Sequence, residues 1–168
     1  MPPQTWRAAC AGFISLLAAA SASAQVFSSA GAVPIPDSPT AVSDIAVSGG
    51  PSTINDINIV LHIDHTWDSD LDIILVAPGA ADYLQLSTDN GGSADNYNVT
   101  RFDDAADVSV SGGATAPFNG NFRPEGGATA WAGSVALPAT PLASLGALNG
   151  RDADGTWRLL IDDDTNQQ

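Results

Sequence analysis

From residue 25 onward no stretch of the chain sustains an apolar repeat of 3.6 residues. That absence constrains the fold more than any other feature of the sequence. Gly, Pro, Ser, Thr, Asn and Asp interrupt the chain throughout, and each favours turns over helix interiors. Between them lie short β-like runs at 41–47, 54–63, 71–77, 83–87, 99–102, 108–110 and 156–161. In INDINIVLHI the apolar positions are Ile54, Ile57, Ile59, Leu61 and Ile63, with Asn55, Asn58 and His62 mostly opposite. Many short strands separated by turn signals predict an all-β sandwich or jelly roll. No internal repeat is evident. Residues 126–141, rich in Gly, Ala and Pro, read as an extended loop.

The first 24 residues read differently. A single positive charge at Arg7 precedes an apolar run over 8–20 and then Ala22-Ser23-Ala24. This is the layout of a secretory signal, with cleavage expected before Gln25. The apolar run is too short to favour spanning a bilayer. Residues 25–39, with VPIPD, read as an extended entry arm, and 40–168 as the folded domain. The expected location is secreted, extracellular or periplasmic. Cleavage removes the one cysteine, Cys10, so the exported chain has no disulfide although its compartment would permit one.

The charge is one-sided. The chain has no Lys, five Arg and 19 acids, a balance that disfavours nucleic acid and anionic membranes and favours divalent cations. Of the acids, 18 are Asp and only Glu125 is Glu. Short carboxylate stems in loops suit turns, and they also suit calcium. The acids cluster. Asp68, Asp70 and Asp72 alternate in HTWDSDLDIILVAP, and an extended chain would set them on one face. Asp89 and Asp95 bracket the glycine-rich DNGGSADNY, and Asp103 with Asp104 follows in FDDAA. These seven are the candidate calcium ligands, provided that their loops meet at one end of the sandwich. DSDLD is not an EF-hand loop, because Ile73 and Gly79 stand where that loop needs Gly and Glu. Asp70 could equally hold a structural hydrogen bond to backbone. Asp152 and Asp154 read as a turn, and Asp162 to Asp164 as a second weak site or a solvated tail.

Taken in order, IPD, VSDIAVSG, INDINIVLHIDHTWDSDLDIILVAP, LSTDNGGSADNY, FDDAA, APFNGNFRPEG, LNG and DGTWRLLIDDD resemble the P domain (P/Homo B domain) of proprotein convertases. The likeness is closest to its acidic form in bacterial secreted proteins. It runs from about Pro34 to the C-terminus. The core of the pattern is His65-Thr66, Asp70-Leu71, Leu75 and Pro78, then Gly155-Thr156-Trp157. The resemblance implies a jelly-roll-like β-sandwich that accompanies a subtilisin-like serine protease, or another secreted hydrolase, and supports its stability. An independent protein- or glycan-binding or adhesion module is the alternative. Family members continue past the position of 156–161 with a further strand. The chain is therefore expected to lack its final strand and to leave a sheet edge open there.

No catalytic residue is expected. His62 and His65 fall in a strand-like run, no subtilisin-like nucleophile motif is present, and His65 reads as a packed, hydrogen-bonded side chain. Zinc is disfavoured by the lack of Cys after residue 24 and by the spacing of the two His. Trp67, Trp131 and Trp157 read as core or rim aromatics, and a sugar-binding use of Trp67 or Trp131 remains open. Asn98-Val99-Thr100 fits a glycosylation acceptor.

Overall fold

The computed structural model describes residues 24–112 and 114–165. The expected secretory signal therefore lies almost wholly outside the described residues. Within them the chain is an all-β sandwich of eight strands with two short 3-10 turns. The strands are β1 (Ala41–Val47), β2 (Ile59–Ile63), β3 (Leu71–Val76), β4 (Asp82–Thr88), β5 (Tyr97–Phe102), β6 (Phe118–Phe122), β7 (Thr140–Pro141) and β8 (Gly155–Asp163). One sheet has the order β1-β8-β3-β4-β7 and the other β2-β5-β6. The pairings are antiparallel except for β4 with β7 and β5 with β6.

At β3 and β4 the larger sheet is buried on both faces, which explains the apolar run at 73–76. Leu71, Ile73 and Leu75 face the smaller sheet and meet Leu61, Ile63, Tyr97, Phe102, Phe118 and Phe122 in one core. Tyr97 stacks on Phe118 with ring centroids 4.7 Å apart, and Phe122 meets Phe118 edge-on at 5.8 Å. Such aromatic pairs stabilise beyond the area they bury. Ile74 and Val76 point the other way and pack with Tyr83 and Leu160. Trp131, Val135 and Leu137 cover that outer face, so the loop at 126–141 serves as a third layer. Trp131 donates its indole N–H to the Val135 carbonyl at 2.7 Å. Trp157 donates its own to the Ala153 carbonyl at 2.9 Å.

Three expectations are corrected. First, β8 has no open edge. It lies between β1, which pairs with Gly155 to Ile161, and β3, which pairs with Arg158 to Asp163. Second, it does not stop at Ile161 but carries Asp162 and Asp163 into the ladder, where they oppose Asp72 and Leu71. Third, only Asp72 of the alternating aspartates lies on a strand. Asp68–Asp70 is a 3-10 turn entered through Trp67 in the left-handed region, φ 63°. Asp readily folds its carboxylate back on nearby backbone, which favours turns over strands. The run at 108–110 forms only a single bridge, Ser109 to Arg123.

Candidate metal centre

The acids gather where β3 begins, β8 ends and the loop between β4 and β5 closes over the core. Backbone hydrogen bonds assemble this corner. Asp68 N–H donates to the Ala94 carbonyl at 2.7 Å, Ser69 N–H to Gly92 at 3.2 Å, Asn96 N–H to His65 at 3.0 Å and Asp164 N–H to Asp70 at 3.0 Å. The loop must come very close to the 3-10 turn. A Cβ on Gly91 would stand 2.6 Å from Asp68 Cβ and 3.0 Å from the Phe118 ring, and Gly91 has φ +100°. Only glycine meets both demands.

The inner part of the corner faces the core between the sheets. His65 Nε2 and Asp163 Oδ2 are 3.1 Å apart, with side chains only 8% and 2% exposed. Asp68 is fully buried. Neither of its carboxylate oxygens meets a donor in good hydrogen-bond geometry, and Asp163 Oδ1 has no partner either; the Asn96 N–H, which bears on the Asp68 carboxylate, is spent on the His65 carbonyl at 3.0 Å. Burial pushes Asp68 up to about 6. Asn96 N–H and His65 work against that shift, and Asp95 adds to it. Asp70, also buried, is raised first by burial and then by Asp163, with a further push from Asp164.

The outer part lies on the opposite face of the same sheet. Asp72 and Asp162 sit directly across from each other on β3 and β8, and both are buried. Like charges in that relation repel. Burial pushes Asp72 up to about 7, and Asp89, Asp164, Asp162 and Glu125 all add to it. Asp89 is raised by burial, then by Asp164, Glu125 and Asp70. Asp162 Oδ1 accepts from Thr40 Oγ1 at 2.7 Å, which ties the start of the domain to its last strand. Glu125 accepts from Gln85 Nε2, Asn90 Nδ2 and, at 3.0 Å, Thr88 Oγ1. Asn90 continues the chain of bonds to Ser87 Oγ at 2.9 Å, and Ser87 meets the buried Tyr97 hydroxyl at 2.9 Å.

Of the seven predicted ligands, the structure brings Asp68, Asp70, Asp72 and Asp89 into this corner. Asp95 lies at its exposed rim, where Oδ1 accepts the Trp67 N–H at 3.3 Å. Asp103 and Asp104 are engaged elsewhere. Asp103 pairs with Arg101 at 3.0 Å and accepts from Ala105 N–H at 2.8 Å. Asp104 receives the Leu145 and Gly146 N–H groups at the start of the second 3-10 turn, at 3.1 and 2.6 Å. Missing from the predicted set were Asp162, Asp163, Asp164 and Glu125. The DDD run marked the first three, but its place in a strand depends on pairing with β3.

Among the described residues no three His, Cys, Asp or Glu side chains converge tightly enough to hold a metal ion by themselves. Calcium, however, takes six to eight oxygens and draws many of them from backbone carbonyls and water. The donor set fits that chemistry, since three buried carboxylate oxygens lack partners and the two on Asp68 lie against a glycine-rich loop. Buried ionised carboxylates without compensation cost several kcal/mol, and either a proton or a cation would remove that cost. Among the described residues the arginines do not supply the cation. Arg101, Arg151 and Arg158 pair with Asp103, Asp82 and Asp44, and Arg123 donates to the Ala106 carbonyl. No family model, curated protein or solved structure matches the chain.

Proposed function

We propose that the chain is a calcium-stabilised, non-catalytic accessory module of a secreted protein, of the P-domain kind. Its partner would be a subtilisin-like or other secreted hydrolase domain. One observation carries the calcium assignment: Asp68, fully buried, has two carboxylate oxygens that meet no donor in good hydrogen-bond geometry, and Asp163, paired to His65, has an Oδ1 with no partner. Asp68, Asp70 and Asp163 would bind the ion from the core side, and Asp72, Asp89 and Asp162 would balance charge on the other face. The ion would pin the 3-10 turn, the β4–β5 loop and the end of β8 to one another. The ordered sequence likeness to P domains and the two-sheet sandwich support the wider reading. The reading assigns no catalytic role, because the sequence carries no subtilisin-like nucleophile motif.

Thermal unfolding in EDTA, in excess calcium and in excess magnesium tests the assignment. A site of the extracellular type has Kd on the order of 10⁻⁴ to 10⁻³ M. At calcium a hundredfold above Kd, linkage adds about 2.7 kcal/mol. A midpoint unmoved by calcium would overturn the assignment. A binding role toward a protein or glycan surface is the second reading, and the exposure of Trp67 favours it.

A further inference from the structure

The three tryptophans described above are not alike. Trp131 and Trp157 direct their indole N–H groups to nearby carbonyls and pack on the two cores. Trp67 is 48% exposed. It is held there by a conformation that costs stability. A tryptophan at φ 63° is a backbone outlier, and such outliers persist where the surroundings fix them and cluster at functional sites. The surroundings here are definite. Asp95 Oδ1 accepts the Trp67 N–H at 3.3 Å, and the Trp67 carbonyl accepts from Asp70 N–H at 3.0 Å. The result is an exposed indole on a backbone anchored at the rim of the acidic corner, with exposed Asp95 touching that backbone. Asp64, 83% exposed, lies three residues upstream.

We propose that Trp67 and Asp95 form a recognition site for an arginine side chain of a partner polypeptide. A guanidinium can stack on an indole face and bond a carboxylate through its planar fork at the same time, whereas an ammonium cannot do both as well. The formal net charge of −14 draws such a group toward the rim, while a neutral sugar gains nothing from that field. Among the described residues the chain does not fill the site from within. It has no lysine, and Arg101, Arg123, Arg151 and Arg158 are bonded to Asp103, Ala106, Asp82 and Asp44. The inference deepens the partner-binding reading above and does not depend on calcium.

The test follows the indole N–H signals of the ¹⁵N-labelled protein by NMR, with excess calcium and again with EDTA. The probes are a blocked Gly-Arg-Gly-Arg-Gly peptide, its lysine and citrulline analogues, and cellohexaose. Citrulline keeps the shape of arginine and removes the charge. The expected result is a shift of the Trp67 signal with the arginine peptide, at least fivefold tighter than with citrulline and weakened by salt. Trp67→Gly should abolish the binding while leaving the melting temperature unchanged or higher, because glycine tolerates the left-handed backbone. If that variant does not fold, Asp95→Asn serves instead. It keeps an acceptor for the Trp67 N–H, removes the charge, and should weaken arginine binding at least threefold. Equal binding of arginine and citrulline peptides, a response to cellohexaose alone, or no response to any probe would overturn the proposal. An arginine response together with a calcium-insensitive melting curve would refute the calcium assignment and leave this site standing.

Discussion

Replacing Asp72 by Asn removes one of two buried carboxylates that face each other across β3 and β8. Folding moves the Asp72 carboxyl from 3.8 to about 7. Its ionised form is thus disfavoured in the native state by roughly 4 kcal/mol at pH well above 7. Water at the end of the sheet screens part of that, and the Asn amide must still find partners, so about 2 kcal/mol is the expected net gain. In a domain of this size that raises the melting temperature by about 6 °C. The gain should appear only in EDTA at pH 8. In excess calcium the order should reverse, because the wild-type carboxylate then balances the ion's charge and the amide does not. Differential scanning calorimetry of both proteins in both buffers measures the crossover. An Asp72→Asn protein destabilised equally in EDTA and in calcium would refute the reasoning and make Asp72 an ordinary hydrogen-bonding residue.

Further outcomes follow from the same corner. In EDTA the wild-type protein should lose stability as pH rises from about 4 to 7. Asp68 and Asp72 hold protons more tightly when folded than when unfolded, so the penalty is absent below 3.8 and complete above the folded values; calorimetric midpoints at pH 5 and pH 8 check it. Gly91→Ala should cost about 2 kcal/mol or more by urea unfolding, since its Cβ would stand 2.6 Å from Asp68 Cβ in a backbone with φ +100°. Asp104→Ala should cost about 1 kcal/mol by the same assay through loss of its bonds to Leu145 and Gly146 N–H. It should leave the calcium-induced rise in melting temperature intact, whereas Asp68→Asn should diminish that rise.

Local pattern was enough where an element's character is local. The β-like run at 41–47 matches β1 to the residue, and the apolar run at 71–77 matches β3 to within one. It failed where partners decide. Phe118–Phe122, with Asn-Gly-Asn between its aromatics, is not among the β-like runs of the sequence, yet β6 is held by its parallel pairing to β5. Asp162 and Asp163 have no apolar residue after them and read as a tail, yet β3 pairs with them. Asp68 and Asp70 alternate with Asp72 and read as strand, but the left-handed Trp67 turns the chain before β3 starts. Proximity along the sequence also misled. Asp103 and Asp104 sit near the glycine-rich loop in the chain, but they are bonded to Arg101, Ala105 and the second 3-10 turn. The acidic corner was legible as composition and clustering. Its membership depends on strand register, which no single run of residues encodes.

The most direct measurement is a crystal structure of the protein grown with calcium and with terbium, with anomalous differences used to locate the ion. The expected result is a peak against the Asp68 carboxylate, with oxygens at roughly 2.3–2.6 Å from Asp68 and its neighbours at the 3-10 turn and the β4–β5 loop. A well-ordered structure without a peak there, and with Asp68 hydrogen-bonded as a neutral acid, would contradict it.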